Sequence, residues 1–328
     1  MSTARLRMAV VGVGHLGRHH ARILCGLPDV ELVGIFDLNR QRAQEIAATC
    51  HTRVLTDLTE LHGLDAVTIA VPTASHVAVA QPLIEAGIPV LIEKPLARSV
   101  AEADVLLAVA AERGVMIAVG HTERFNPAVA AARAFLRVPR FVEVHRLGTF
   151  PERSLDIDVV FDLMIHDLDV VLSVVDSEVT SIDAVGVPVL TPKIDIANVR
   201  LRFASGCIVN LTASRISRDR VRKIRFFQLE SYVSIDYAAQ ELEVWRLVRP
   251  PAGAPIIEGG RQPVVTDEPL KRELTDFIEA VRTGRQPGVP GAEGRRALAL
   301  AEQITAQMTL AGESGAGRRA RTGAGPEP

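Results

Sequence analysis

Cysteine is scarce in this chain and follows no pattern. Cys25, Cys50 and Cys207 are the only three in 328 residues, and none stands at a paired spacing. That excludes a disulfide framework and a structural zinc site, and it fits a reducing cytoplasm. An excess of one charge is also lacking: 37 Lys and Arg face 39 Asp and Glu, a formal net charge of −2. No nucleic acid and no membrane surface is therefore expected as a partner. No apolar run approaches the ~20 residues of a membrane span. The opening MSTARLRMAVVGVG has only a brief apolar run and no cleavage-site pattern, so no signal peptide is expected. There is no internal repeat and no constellation at metal-ligand spacing, so no metal is expected. The expectation is a soluble cytoplasmic protein.

What is present is apolar content, 48% of residues, in a chain longer than one core usually holds. Two domains follow as the natural division. Up to about residue 122 the pattern alternates. Short continuous apolar runs at 7–13, 30–37, 65–72, 88–93 and 115–120 read as buried strands, and helical periodicity fills 15–27, 39–50, 74–86 and 99–113. This predicts an α/β fold, a doubly wound parallel sheet covered on both faces. Beyond 122 the rhythm changes. Alternating runs between 140 and 248, joined by tight turns at 204–207 and 230–233, predict a mainly antiparallel open sheet within an α+β domain. PPAGAP (250–255) reads as a loop, and helices are expected at about 267–283 and 291–311. The domains expected are thus 1–122, a dinucleotide-binding unit, and 123–311, a substrate and oligomerisation unit. A Gly-, Ala- and Arg-rich tail, 312–328, is expected to be disordered.

VVGVGHLGRHH contains Gly12-x-Gly14-x-x-Gly17 between the first strand and the first helix. Gly12 permits a tight turn, Gly14 lets a pyrophosphate approach the backbone, and Gly17 lets helix and strand pack closely. His15 and Leu16 complete the turn. The helix N-terminus then faces the phosphates with its unpaired N–H groups. Asp37, ending the second strand, is placed to accept hydrogen bonds from the adenosine ribose, which favours NAD over NADP; Arg40 lies near enough to soften that preference. The competing reading is a glycine-rich turn in a flavodoxin-like fold.

Glu93-Lys94-Pro95 follows the strand at 88–93 directly. Lys94 is then either an ordinary solvated charge or a group in the crevice outside the strand ends, where ligands of such sheets bind. FDLMIHDLDVVLSVV (161–175) reads as a helix apolar on nearly every side, with Asp162, His166, Asp169 and Ser173 along one line. Asp162 and His166 are either a satisfied structural pair or part of a site. Oxidising a secondary alcohol with NAD needs a base, and a neutral imidazole suits that task. Asp162 would orient it, and Lys94 would stabilise negative charge on the hydroxyl oxygen.

With these residues in place the sequence resembles the Gfo/Idh/MocA family of oxidoreductases over about 5–310. The resemblance rests on the glycine motif, PTASH (72–76), EKP (93–95), RFNP (124–127) and the Asp-x-x-x-His of 162–166. It implies a Rossmann domain, a second domain whose sheet makes contacts in a homo-oligomer (dimer or tetramer), and Lys94, Asp162 and His166 as catalytic residues. It also implies that Pro72, Thr73, His76 and Glu93 lie near the cofactor. Many members carry glycines just before the helix Asp, where this chain has DIDVVFD. Within the family, 119–129 and 145–175 resemble members that oxidise the C3 hydroxyl of UDP-N-acetylglucosamine. Such a 3-keto sugar nucleotide feeds a pyridoxal-phosphate aminotransferase on the way to lipid A. A UDP-sugar needs cations, for which Arg124, Arg146, Arg153 and Arg215 stand as candidates beside Lys94 and His166. Asn126 either contacts substrate or caps the helix starting at Pro127. His19, His20, His51 and His62 read as local structure. Another polyol substrate (an inositol, a free sugar or a uronic-acid sugar nucleotide) and a non-catalytic NAD sensor remain the alternatives.

Overall fold

The last four residues of β1 (Leu6–Val11) are fully buried, as a strand covered on both faces requires. The computed structural model describes residues 4–150, 157–251 and 253–310. After β1 come α1 (Gly17–Cys25), β2 (Val30–Phe36), α2 (Arg40–Thr49), β3 (Arg53–Val54), β4 (Ala66–Ile69), α3 (His76–Glu85), β5 (Val90–Glu93), α4 (Val100–Arg113) and β6 (Ile117–Gly120). All six strands run parallel in the order β3-β2-β1-β4-β5-β6. The order reverses between β1 and β4, and a crevice opens there beyond the carboxyl ends. β3 is a strand the sequence reading does not contain; two residues are too few to display a period.

The second half begins with α5 (Pro127–Ala132) and β7 (Phe141–Leu147). A π-turn at Val160–Met164 leads into α6 (Ile165–Val174). The strands β8 (Val179–Val187), β9 (Ile196–Phe203), β10 (Ile208–Ser214), β11 (Val221–Gln228), β12 (Ser231–Asp236), β13 (Glu241–Val248) and β14 (Ile256–Gln262) follow, then α7 (Pro269–Thr283), α8 (Gly291–Gln307) and β15 (Thr309–Leu310). The sheet order is β14-β13-β12-β11-β7-β10-β9-β8-β15. Its pairings are antiparallel except β7 with β10 and β8 with β15. β14 is absent from the sequence reading because Gly259 and Gly260 interrupt its alternation.

One face of this sheet is core. Val142 and Val144 of β7, Val209 and Leu211 of β10, and Ile224 and Phe226 of β11 pack with Ile165 and Leu168 of α6 and Ala297, Ala301 and Ile304 of α8. The other face carries a row of tilted rings: Phe141 against Phe227 at 5.5 Å and Phe227 against Tyr232 at 5.1 Å. α7 does not join the second sheet. Its Leu274, Phe277 and Ile278 pack with Met8, Val10, Ala21 and Leu24 of the first. A helical period marks which face is buried but not the surface that buries it, so the segment 123–311 returns to the first unit. The expected tail at 312–328 lies outside the described residues. Among the described residues no helix is long and apolar enough to cross a membrane, and no group of His, Cys, Asp and Glu could hold a metal ion.

Candidate active site

The glycines define a cradle by what a methyl would strike. At Gly17 an added Cβ would lie 1.8 Å from the Gly12 carbonyl oxygen, so only glycine lets α1 start this close to β1. Gly12 has φ of 83° and would meet the Ala70 carbonyl at 2.7 Å. At Gly14 nothing stands within 4 Å. The middle position is thus open at the N-terminus of α1, as a pyrophosphate needs. His15 and Leu16 are exposed along the same turn. Pro72 and Thr73 follow β4 across the crevice. Asp37 is buried; it accepts from the Val13 N–H at 2.8 Å and the Asn39 N–H at 2.7 Å. Burial pushes its carboxyl up, but the hydrogen bonds from Arg42, Val13 and Asn39 outweigh this and hold it below its ordinary value. The guanidinium on Asp37 belongs to Arg42, at 2.8 Å. Arg40 is exposed and makes no bond to Asp37; position 42 lies on the side of the first helical turn that faces the strand end.

Two expected cofactor contacts turn inward. His76 is buried with Nδ1 3.0 Å from the Pro95 carbonyl and Nε2 3.1 Å from the Val71 carbonyl. Burial disfavours the charged ring, so the single N–H of a neutral imidazole donates to one of these carbonyls, and His76 packs between the loop after β4 and the loop after β5. Glu93 is likewise buried, with Oε1 2.9 Å from His20 Nε2, and joins β5 to α1. These two readings are corrected: both residues shape the crevice from behind.

Lys94 leaves the end of β5 and reaches the π-turn. Its Nζ donates to the Asp162 main-chain carbonyl at 2.7 Å and lies 3.8 Å from Asp162 Oδ1. The structure therefore brings Lys94 and Asp162 together, and not Asp162 with His166. His166 follows one turn later, its Nδ1 buried with no hydrogen-bond partner among the described residues. Burial, then the charges of Lys94, Arg146, His121 and Arg222, hold its imidazole well below the ordinary 6.5. These causes favour the neutral form of the ring. His121 stands edge-on to it at 6.3 Å, directly after β6, with both ring nitrogens buried and unpartnered. The sequence reading passes over His121, although its place at the carboxyl end of a parallel strand marks it.

The expected stripe on 161–175 is divided. Asp169 is buried and binds Arg124 at 2.7 Å, and Ser173 Oγ donates to the Val170 carbonyl at 2.7 Å. Arg124 also meets Glu293 at 2.8 Å. Arg146 is held by Asp167 at 2.5 Å and Glu123 at 3.0 Å, its guanidinium 5.2 Å from the Tyr237 ring centre. Arg215 binds Asp195 at 3.0 Å and the carbonyls of Ile157 and Ile194. All three arginines are buried, and carboxylates already hold them, which corrects their assignment to a substrate phosphate. Asn126 caps α5 by accepting from the Ala128 N–H at 3.1 Å and donates to the Tyr237 carbonyl at 3.0 Å. Its cap reading holds and its substrate reading is corrected. Arg153 lies outside the described residues.

Residues 6–121 match the family model described as an oxidoreductase family with an NAD-binding Rossmann fold, and residues 129–228 match the GFO/IDH/MocA C-terminal domain. The chain belongs to the Gfo/Idh/MocA oxidoreductase family. NAD is accordingly the cofactor of its first unit, and the open Gly14 turn and the buried Asp37 fit it. Among relatives, the chain is 40% identical over 304 residues to the UDP-N-acetylglucosamine 3-dehydrogenase of Acidithiobacillus ferrooxidans, covering 91% of this chain and 96% of that one. A solved structure of the enzyme of that name from the same organism superposes with a TM-score of 0.87 at 37% identity, covering 93% and 98%. The inositol 2-dehydrogenase of Rhizobium meliloti is 26% identical over 323 residues, 90% of this chain and 95% of that one. Family membership thus spans both units, and the charge of Lys94 from the first acts on His166 of the second.

Proposed function

We propose that this protein oxidises the C3 hydroxyl of UDP-N-acetylglucosamine to a 3-keto sugar nucleotide. The observation that carries the reading is the 40% identity over 91% of the chain to an enzyme with that activity. It is supported by Lys94 and a neutral His166 lying together beside the dinucleotide crevice. NAD, when bound, supplies the hydride acceptor. His166 takes the hydroxyl proton as the C–O bond becomes a carbonyl. Lys94 donates to the same oxygen and stabilises the charge that builds there before the carbonyl forms. The lysine's charge also disfavours an imidazolium, so His166 stays unprotonated until substrate arrives. Asp162 balances that charge and, through its carbonyl, holds the ammonium in reach.

Around this reaction we place three further readings. The ring-bearing face of the second sheet joins copies of the chain into a homo-oligomer. The ketone is consumed by a pyridoxal-phosphate aminotransferase, which makes a 3-amino sugar for lipid A. The scattered cysteines fit a reducing cytoplasm.

The test is NADH absorbance on mixing enzyme, NAD and UDP-N-acetylglucosamine, with hydroxylamine to trap the ketone. A steady rise that free N-acetylglucosamine does not produce is expected. Its absence in a sample with measured NAD binding would discard this substrate. In the same assay His166→Ala should lower turnover by roughly 10²-fold or more with NAD affinity nearly intact. An unchanged rate would leave His166 a structural residue.

A further inference from the structure

The proposed substrate carries a diphosphate, yet Arg124, Arg146 and Arg215 are already held by carboxylates. We infer that Arg222 of β11 is the cation that receives the substrate's diphosphate, a role that rests on the sugar-nucleotide reading above.

The placement comes from register. Arg222 pairs directly with Arg146 of β7. On β11 it shares parity with Ile224 and Phe226, which point into the core beneath α6. The side chain of Arg222 therefore starts on the helix-covered face of the sheet, at the strand end where that face opens to solvent. Arg146 links it to the catalytic helix, because Arg146 is gripped by Asp167, the residue after His166. Partial burial and the neighbouring Arg146 guanidinium both disfavour the charge on Arg222, and that charge is felt in turn at His166.

The arrangement is unbalanced as it stands. Two guanidinium groups sit side by side on adjacent strands. Two carboxylates hold the inner one, whereas the outer one is exposed, makes no ion pair of its own among the described residues, and feels Glu123 and Asp167 only at longer range. Like charges so placed repel unless an anion answers them. The turn that feeds β11 adds to the field. Arg218 and Arg220 are exposed there against a single Asp219, and Arg220 meets only the Thr149 hydroxyl, at 3.2 Å. The next residue shows what a satisfied cation on this strand looks like. Lys223 points to the opposite face and pairs with Asp236 at 3.3 Å.

A guanidinium matches two phosphate oxygens at once and is the side chain best shaped for this anion. The phosphates of NAD are served separately, at the Gly14 turn on the first sheet. A sugar whose C3 hydroxyl lies against His166 carries its diphosphate on C1, two ring carbons away. Arg222 is the cation on the second sheet positioned to meet it. The signal was present in the sequence: RISRDRVRK (215–223) has five Arg or Lys, of which Arg218, Arg220 and Arg222 alternate from the turn into the strand. Its register with Arg146, on the helix-covered face of the sheet, singles out position 222 from Arg218 and Arg220 in the turn.

The experiment is calorimetric binding of UDP, which has the diphosphate but no sugar to oxidise, to the NAD-loaded enzyme. Arg222→Ala should weaken UDP by at least about tenfold, the scale of a lost hydrogen bond to a charged group. Uridine affinity and NAD affinity should not change. Arg222→Lys should recover part of the loss. Lys223→Ala, which removes the same charge from the other face of the same strand, should leave UDP binding unaltered. In turnover, the loss in Arg222→Ala should fall mainly on KM. Unchanged UDP affinity in Arg222→Ala would overturn the assignment, as would an equal loss in Lys223→Ala, and so would a wild-type enzyme that does not bind UDP. Arg222-dependent UDP binding in an enzyme that fails to oxidise UDP-N-acetylglucosamine would uphold the assignment and discard only the sugar.

Discussion

Asp162 is the residue whose role the structure changes most, and replacing it by Asn separates the two accounts. The spacing of 162 and 166 makes it a partner of His166. The geometry makes it a partner of Lys94, with Oδ1 3.8 Å from Nζ. Two unit charges at that distance interact by about 1.1 kcal/mol in bulk water and by about 4.4 kcal/mol at an effective dielectric of ~20. Lys94 and Asp162 side chains are 12% and 24% exposed, which places the pair between those limits. If all of that energy supports the ammonium in the transition state, Asp162→Asn slows turnover by a factor between roughly 6 and roughly 10³. The Asp162 carbonyl remains in the variant, so Lys94 keeps its 2.7 Å hydrogen bond and the loss should not reach the upper limit. The assay is kcat for NAD-dependent oxidation, measured in the wild type and in Asp162→Asn, Lys94→Met and the double variant. Because Asp162 acts through Lys94, the second substitution should cost nothing further once the ammonium is gone. A double variant slower than Lys94→Met by the full single-variant factor would refute this coupling and return Asp162 to His166.

Two other outcomes test the crevice and its support. Gly14→Ala should fold with unchanged Tm, because nothing stands within 4 Å of the added methyl, yet lose NAD affinity; Gly17→Ala, whose methyl meets the Gly12 carbonyl at 1.8 Å, should lose both. Equal Tm for the two variants would contradict the cradle. Glu273 on α7 is buried, with Oε1 unpartnered, and burial, followed by the charge of Glu93, holds its carboxyl well above 4.5. The folded state therefore keeps this proton where the unfolded chain has lost it, so stability falls as pH rises from about 4.5 through the raised value. Glu273→Gln should remove that decline, and its Tm advantage over wild type should grow with pH across the window; parallel Tm curves would show that Glu273 ionises at no cost.

What could be read from the sequence was local. The glycine requirement at 17 is set by the Gly12 carbonyl five residues back, the left-handed φ of Gly12 is a property of its own turn, and the place of Lys94 follows from a rule about strand ends. The division of the 161–175 stripe was not legible. A π-turn at Val160–Met164 shifts the residues before it relative to those after, so Asp162 and His166 keep their spacing but meet different partners. Nothing in VFDLM marks such a turn. The arginines failed for a different reason. The carboxylate that holds each lies 45 residues away for Arg124, 21 for Arg146 and 20 for Arg215. Only the fold brings those partners together, and α7 escaped to the first sheet in the same way.

The paired arginines nevertheless bear on the chemistry. Asp167 and Asp169 follow His166 closely on α6. Asp167 is bound to Arg146 of β7, and Asp169 to Arg124 of the turn after β6. One anchor lies in the second sheet and the other at the end of the first, so the helix segment carrying His166 is fixed to both halves of the molecule within three residues. Buried pairs of this kind contribute little net stability, because desolvation offsets much of their attraction. Removing one partner is another matter, since it strands a buried charge at a cost of roughly 3–5 kcal/mol. The pairs therefore act as position locks. They hold a neutral imidazole between a lysine delivered by the parallel sheet and an arginine delivered by the antiparallel one, and neither sheet alone would place all three.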